Sequence, residues 1–308
     1  KLVDDDHMVT VSGKGFSYGF NPETGLLSSI DFGQGELMLK PLIPNFWRAP
    51  TDNDFGNYMQ DWASVWFEAR TNGRPIDFSI QERERGRVVL TAEYAFDNAA
   101  GQELARWQAS FTINAAGDLH IRNQFRREPD LPVLPRLGMN LELVRPLDNV
   151  QWFGRGPHEN YSDRKLAAHV GLYTNKVQDH YVAYMRPQEN GYKTDVRWLS
   201  LSDDQQSGIL FEADELISFS VHHNRLEDFV PPVKIAITSE DGPGARDNEK
   251  RVNVHVNDVK PRDMISLDID LGQMGVGGDD SWGKRTLQKY SLNKQSYEYG
   301  FTIKPYRP

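Results

Sequence analysis

The sequence has 308 residues, of which 38% are hydrophobic and 11% aromatic, enough apolar material for one large domain or two small ones. Its formal net charge of −9 and its short, mixed charge runs argue against a basic surface that would bind nucleic acid or an anionic membrane. The absence of cysteine excludes disulfides, thiolate nucleophiles, cysteine–zinc sites and iron–sulfur clusters.

The first eight residues are typical of a cloning remnant that ends in an inserted start codon. We therefore expect residues 9–308 to form a single domain, cloned from within a longer chain. No apolar run approaches the roughly 18 residues of a membrane-spanning helix. A soluble protein is expected, and the sequence leaves its compartment open.

The N-terminal part of this domain combines strands with an irregular segment. Residues 9–20 and 26–30 are strand-like and flank a turn, which predicts a hairpin. Three prolines in residues 41–57 are expected to exclude a regular element there. One face of a short helix near 58–69 is then predicted by five residues at helical spacing, and its two tryptophans are expected in the core: Tyr58, Trp62, Val65, Trp66 and Ala69.

From residue 76 onward the hydrophobic period is two. Apolar side chains alternate with polar ones over residues 88–96, 105–113 and 119–125, and short turns separate these segments, which predicts an antiparallel meander. Similar segments recur as far as residue 304. The fold class is therefore predicted to be all-β, a large antiparallel domain of two broad sheets packed face to face.

A glycine-rich loop at residues 274–283 carries the most informative residue pattern. Its glycines permit positive φ and close approach of the backbone to another surface. Asp279, Asp280 and Ser281 precede Trp282 directly, and an indole beside fixed carboxylates is one way in which proteins bind sugars. The alternative is a tight turn whose tryptophan packs back onto the domain.

Residues 152–165 and 184–191 form a second dense polar region. A buried network that stabilises irregular loops is the favoured interpretation. Acid–base chemistry of the kind found in mutarotase-type sugar epimerases is the alternative, and five residues could supply its glutamate and histidine: His158, Glu159, Glu189, His222 and His223.

The sequence gives little support for a catalytic pair of carboxylates or for a metal site. Asp279 and Asp280 are adjacent and would point apart on an extended segment, whereas a retaining glycosidase needs two carboxyl groups about 5–5.5 Å apart. Asp52 and Asp54 could lie on one side, but a lone Asp-x-Asp pair is a weak signal. The histidines show no metal-ligand spacing, so no metal site is predicted.

Three segments, in this order and at these distances, resemble one known family. They are WRAPTDNDFG at 47–56, WFGRGPHENYSDR at 152–164 and MGVGGDDSW at 274–282. Together they resemble the C-terminal domain, also called the small chain or domain 5, of the large bacterial β-galactosidases of glycoside hydrolase family two. Residues 187–191 also resemble a segment of that family, and the resemblance covers about residues 9–308.

The resemblance implies a β-supersandwich related to the galactose mutarotases. It also implies that the catalytic glutamates lie in a central barrel upstream, so no catalytic residue and no cofactor are assigned to this chain. Magnesium and sodium, which the parent enzyme can use, would lie in other domains. The chain would complete the mouth of the active site of a retaining β-galactosidase and would be inactive alone.

The resemblance also implies individual roles. Trp282 would stack on the sugar, and its loop neighbours would support it: Gly278, Asp279, Asp280 and Ser281. Arg48, Asp52, Asn53 and Gly56 would support the same site, with a mobile loop following Gly56. The implied partners are a galactoside, other domains of the same chain and further copies in a homo-oligomer, in the bacterial cytoplasm or periplasm. The alternative function is a free-standing aldose 1-epimerase-like or carbohydrate-binding domain.

Overall fold

A computed structural model describes residues 1–84, 86–98, 100–229, 255–280 and 282–307. Within these residues, the backbone is predominantly β-strand. The strands are β1 Leu2–Asp4, β2 Val9–Gly13, β3 Phe16–Phe20, β4 Leu27–Asp31, β5 Met38–Asn45, β6 Gly73–Glu84, β7 Arg87–Asp97, β8 Glu103–Asn114, β9 Leu119–Arg127, β10 Arg136–Leu143, β11 Asn149–Gly156, β12 His169–Lys176, β13 Lys193–Ser202, β14 Gly208–His222, β15 Ile265–Gln273 and β16 Ser296–Tyr306.

The helices among the described residues are short. The α-helices are α1 Asp52–Gly56, α2 Met59–Trp62, α3 Ser64–Ala69 and α4 Leu226–Phe229. The 3-10 helices are Val177–His180, Val256–Asp258 and Gln288–Tyr290.

The strands form two antiparallel sheets. The small sheet has the order β1-β2-β3-β4. The large sheet has twelve strands, nine of which follow the path β12-β11-β13-β14-β16-β9-β8-β7-β6. From this path a branch runs β14-β15-β10-β5. The all-β, antiparallel fold class is confirmed, and the meander predicted from residue 88 onward appears as β7, β8 and β9. The predicted pair of broad sheets takes the form of one branched, twelve-stranded sheet with a four-stranded sheet beside it.

Aromatic side chains join these parts into one core. Phe20 of the small sheet packs against Phe111 of β8 with ring centroids 5.0 Å apart. Phe46, at the end of β5, contacts Trp66 of α3 and Trp107 of β8. The core therefore lies between the small sheet, the helices α2 and α3 and one face of the meander, and fully buried rings such as Trp66 and Trp107 contribute large apolar areas to it.

The expectation that prolines exclude a regular element from residues 41–57 is wrong. Pro41 and Pro44 lie inside β5, and α1 follows within the same segment. Among the described residues β5 pairs only with β10, so one side of it has no strand partner. A strand at an edge tolerates proline because the missing N–H is not needed by a second neighbour, and β5 also shows register shifts against β10.

The helix expected near 58–69 is present in two parts, α2 and α3, which meet at Ala63. Tyr58 has a left-handed φ of 61° and precedes α2. Trp66 is fully buried and Trp62 packs half-buried against the core, which confirms that this pair is structural. The strand β1 pairs with β2 although it lies in the segment interpreted as a cloning remnant, and that interpretation stays a prediction.

Candidate functional site

The loop at 274–283 follows β15, and the topology brings it beside the segment that follows β5. Both β5 and β15 pair antiparallel with β10, so they run in the same direction. Their C-terminal ends therefore lie at the same end of the sheet. Two of the segments that carry the family resemblance, 47–56 and 274–282, meet there.

Arg48 holds the start of the loop through hydrogen bonds to its backbone carbonyls. Its side chain is 0% exposed, and its Nη1 donates to the carbonyl of Met274 at 2.6 Å while Nη2 donates to that of Gly275 at 3.1 Å. Nη2 also lies 2.9 Å from both carboxylate oxygens of Asp54. A buried guanidinium needs this many acceptors, because burial without partners is costly. Arg48 thus has a structural role beneath the loop.

Helix α1 holds Asp54 in place through a capping box. Thr51, the N-cap residue, accepts a hydrogen bond from the Asp54 backbone N–H, and Asp54 accepts one from the Thr51 N–H at 2.9 Å. Sequence analysis named Asp52 as the supporting acid here. The helix instead turns Asp54 inward and leaves Asp52 exposed, so the two acids do not share one side.

Asp52 connects α1 to Arg186 and Gln188. Its carboxylate accepts hydrogen bonds from Arg186 at 3.1 Å and from Gln188 at 3.2 Å, and its backbone N–H donates to Gln188 at 3.1 Å. Residues 187–191, which also carry the family resemblance, therefore lie beside the N-terminus of α1.

Glycines allow the loop to lie directly against α1. Gly283 has φ of +84°, and a Cβ there would lie 2.0 Å from the carbonyl oxygen of Gly56. Gly278 has φ of +98°, and Asn53 donates from its side chain to the neighbouring carbonyl of Val276 at 3.0 Å. Both positions need a residue without a Cβ. The loop thus packs on Asn53 and Gly56 of its own chain.

Asp163 also holds the loop, and sequence analysis did not select it. Its two carboxylate oxygens accept the backbone N–H groups of Val276 and Gly277 at 3.0 and 2.9 Å. The hydroxyl of Thr286 donates to the same carboxylate at 3.1 Å. Asp163 lies in one of the three quoted segments, so an acid within a recognised motif was the available signal.

The end of the loop projects the indole into solvent. Trp282 is 90% exposed, whereas its backbone N–H donates to Asp280 at 2.9 Å. Asp280 also accepts from the N–H of Lys284, and these two hydrogen bonds, that of Trp282 first, lower the pKa of Asp280. Asp279 is exposed, and Ser281 lies outside the described residues. The alternative of a tryptophan packed back onto the domain does not match this exposure.

The residues considered for acid–base chemistry are not assembled into one site. Glu159 accepts hydrogen bonds from Tyr184, Arg164 and the backbone N–H of Gly191, which matches the expected stabilising network. His223 contacts the carbonyl of Met264 and the carboxylate of Asp148, and His158 is exposed. Glu189 and His222 do line a common cavity.

Across the described ranges, no group of three or more histidine, aspartate or glutamate side chains is arranged to hold a metal ion. In that part of the chain, no helix combines the length and hydrophobicity that crossing a membrane would require.

Comparison with protein families and with curated sequences gives one consistent result. The family model described as "Beta galactosidase small chain" matches residues 12–303. A β-galactosidase of Priestia megaterium is 31% identical over 302 residues, 98% of this chain and 27% of that protein. One from Pseudoalteromonas haloplanktis is 28% identical over 97% of this chain and 27% of its own length. The chain thus spans about a quarter of the length of these relatives.

Comparison with solved structures finds more distant neighbours. A galactose 1-epimerase from Lactobacillus acidophilus NCFM has a TM-score of 0.48 at 8% identity, covering 100% of this chain and 99% of the other. A GalM/aldose epimerase homologue from C. elegans has a TM-score of 0.45 at 10% identity, covering 98% and 99%.

Proposed function

Because this chain belongs to the β-galactosidase small-chain family, we propose that it is the part of a β-galactosidase that completes the mouth of the galactoside-binding site. Under this proposal, the catalytic acid/base and nucleophile lie outside this chain, and no residue described above is catalytic. The reaction would be hydrolysis of a terminal β-galactoside with retention, through a covalent glycosyl-enzyme intermediate.

The observation that carries the proposal is the exposure of Trp282 on a loop whose first residues, 274–277, are held by hydrogen bonds. An indole that is 90% exposed leaves its apolar face in water. The loop beneath it is hydrogen-bonded by Arg48 and Asp163, both distant in sequence. A fixed backbone that presents a free aromatic face is suited to stacking on the apolar face of a sugar ring.

The test is kinetic and uses the complete β-galactosidase that contains this chain. Truncation of a stacking ring should cost about 1–3 kcal/mol of binding free energy, so Trp282→Ala should raise KM for a galactoside by roughly 5- to 150-fold. The value of kcat should fall less than KM rises. Trp282→Phe, which keeps an aromatic face, should restore part of the affinity.

The matched control is Leu166→Ala, since Leu166 is an equally exposed apolar side chain, at 95%, that the proposal assigns no role. This variant should keep the parent KM. The inhibition constant of a non-hydrolysable galactoside should rise with Trp282→Ala in parallel with KM. A KM that stays within twofold of the parent value in Trp282→Ala would exclude the stacking role.

A further inference from the structure

A cavity of about 130 Å³ lies away from the tryptophan loop, over the branch β5-β10-β15-β14 of the large sheet. Its floor is a row of polar side chains across three neighbouring strands. In the strand register Asn140 of β10 pairs with Asp268 of β15, and Asp268 pairs with Ser220 of β14. The neighbours of these residues along each strand point the other way, into the apolar core, as the two-residue period requires.

The floor is internally hydrogen-bonded and centred on Asp268. Its carboxylate accepts from Asn45 at 2.9 Å, from Asn140 at 3.1 Å and from Ser220 at 3.1 Å. Arg136 lies 3.2 Å from the same carboxylate. The polar atoms of the floor are therefore held in fixed directions before any ligand arrives, which reduces the ordering cost of binding.

Arg136 extends this network to two further carboxylates. It lies 3.0 Å from Asp270 and 3.5 Å from Glu189, and burial raises the pKa of both acids. A buried cluster of charged side chains contributes little to stability compared with apolar side chains of the same volume. An open cavity above them, rather than close packing, indicates a binding surface.

Among the described residues, cationic and acidic side chains line the cavity in equal number. They are four of each: Lys40, Arg70, Arg136, Arg225, Glu142, Glu189, Glu227 and Asp268. Burial lowers the pKa of His222, which also lines the cavity, to about 4, so this ring adds no charge at neutral pH. A lining of equal positive and negative charge favours a neutral ligand over an anion or a cation.

Both donors and acceptors line the cavity, and this combination favours hydroxyl groups. Asparagine offers both, arginine only donates and a carboxylate only accepts, whereas a hydroxyl can do either. At roughly 10–15 Å³ for each water molecule, the cavity has space for on the order of ten such volumes. That is comparable with the number of non-hydrogen atoms in a hexose.

We propose that this cavity is a second binding site, separate from the Trp282 loop, and that it takes a neutral, hydroxyl-rich ligand of monosaccharide size. Ile43, an exposed side chain of β5, lines the cavity, and the hydroxyls of the ligand bond to Asn140, Ser220 and Asp268 on the floor. No chemical step is assigned to the site.

The experiment is calorimetric titration of the 308-residue chain with D-galactose, D-glucose and, separately, sulfate. Saturable binding of at least one of the two sugars, and none of sulfate, is expected. Ile43 is exposed and pairs with Asn140 in the strand register, so Ile43→Trp adds bulk above the floor, and it should weaken sugar binding at least tenfold. Ser220→Ala removes one floor hydroxyl and should weaken it severalfold.

The matched control is Ser110→Ala, the same substitution on β8 outside the cavity, which should bind as the parent does. Circular dichroism and the thermal midpoint establish that each variant is folded. If Ser220→Ala does not fold, the test rests on Ile43→Trp. The proposal is overturned if neither sugar binds, if sulfate binds instead, or if Ile43→Trp binds sugar as tightly as the parent chain. Sugar binding that is lost with Trp282→Ala but retained with Ile43→Trp would also overturn it.

Discussion

The buried ion pair beneath the loop allows a sharp prediction, because the segment 52–54 contains one buried and one exposed acid. Arg48 is 0% and Asp54 2% exposed, and Arg48 Nη2 lies 2.9 Å from both Asp54 oxygens. Asp54→Ala leaves the guanidinium buried with backbone carbonyls as its main acceptors. Removing one member of a buried pair typically costs about 3–5 kcal/mol of unfolding free energy.

The matched control lies two residues away. Asp52 is exposed and pairs with Arg186 at 3.1 Å, and exposed pairs contribute about 0–1 kcal/mol. Urea unfolding of the 308-residue chain can be followed by circular dichroism and tryptophan fluorescence. The unfolding free energy of Asp54→Ala should be lower than that of Asp52→Ala by about 2 kcal/mol or more.

A double variant tests the cause. In Arg48→Met combined with Asp54→Ala the unpaired buried charge is gone, so the combined loss should be smaller than the sum of the two single losses. The reasoning is refuted if Asp54→Ala is no more destabilising than Asp52→Ala, or if the two losses add.

Two further predictions concern backbone geometry and pH. Gly283→Ala should destabilise the chain by more than about 1 kcal/mol, because its Cβ would lie 2.0 Å from the Gly56 carbonyl oxygen at a φ of +84°. Gly272→Ala, with open space around its Cβ, should cost less. Equal urea midpoints for the two variants would contradict this prediction. Burial lowers the pKa of Lys193 from 10.5 to about 8, so between pH 8 and 10.5 the unfolded chain binds a proton that the folded chain does not. Unfolding free energy should rise with pH across that window by roughly 3 kcal/mol more in the parent chain than in Lys193→Met, and parallel pH curves would show that Lys193 is not the cause.

Local periodicity was sufficient to predict the strands of the meander. Alternating burial along β7 and β8 places Leu90, Tyr94, Trp107 and Phe111 in the core, and the alternation is visible in the sequence. It could not predict that β5 runs through two prolines, because their tolerance depends on β5 having one strand partner, which is a property of the sheet.

The site shows a similar division between local and long-range information. The motif contained Arg48, Asn53 and Gly56, all of which contact the loop or its supports, and these could be named from the sequence. Asp54 and Asp163 were not selected. Asp163 accepts hydrogen bonds from residues more than a hundred positions away, so its place in a recognised motif marked it as a candidate but no local pattern identified its partners.

The contacts below the loop also bear on how Trp282 would act. A ligand that stacks on a mobile loop must supply the free energy of ordering that loop, and this reduces its affinity. Here Arg48 and Asp163 already hold residues 274–277, and Asp280 accepts from the N–H of Trp282 itself, so these residues do not have to be ordered when a ligand binds. The residues beneath the loop would therefore affect the affinity for a galactoside through the order of the loop. A substitution at Asp163 should then raise KM only to the extent that it disorders residues 274–283, whereas Trp282→Ala should raise KM while the loop stays ordered.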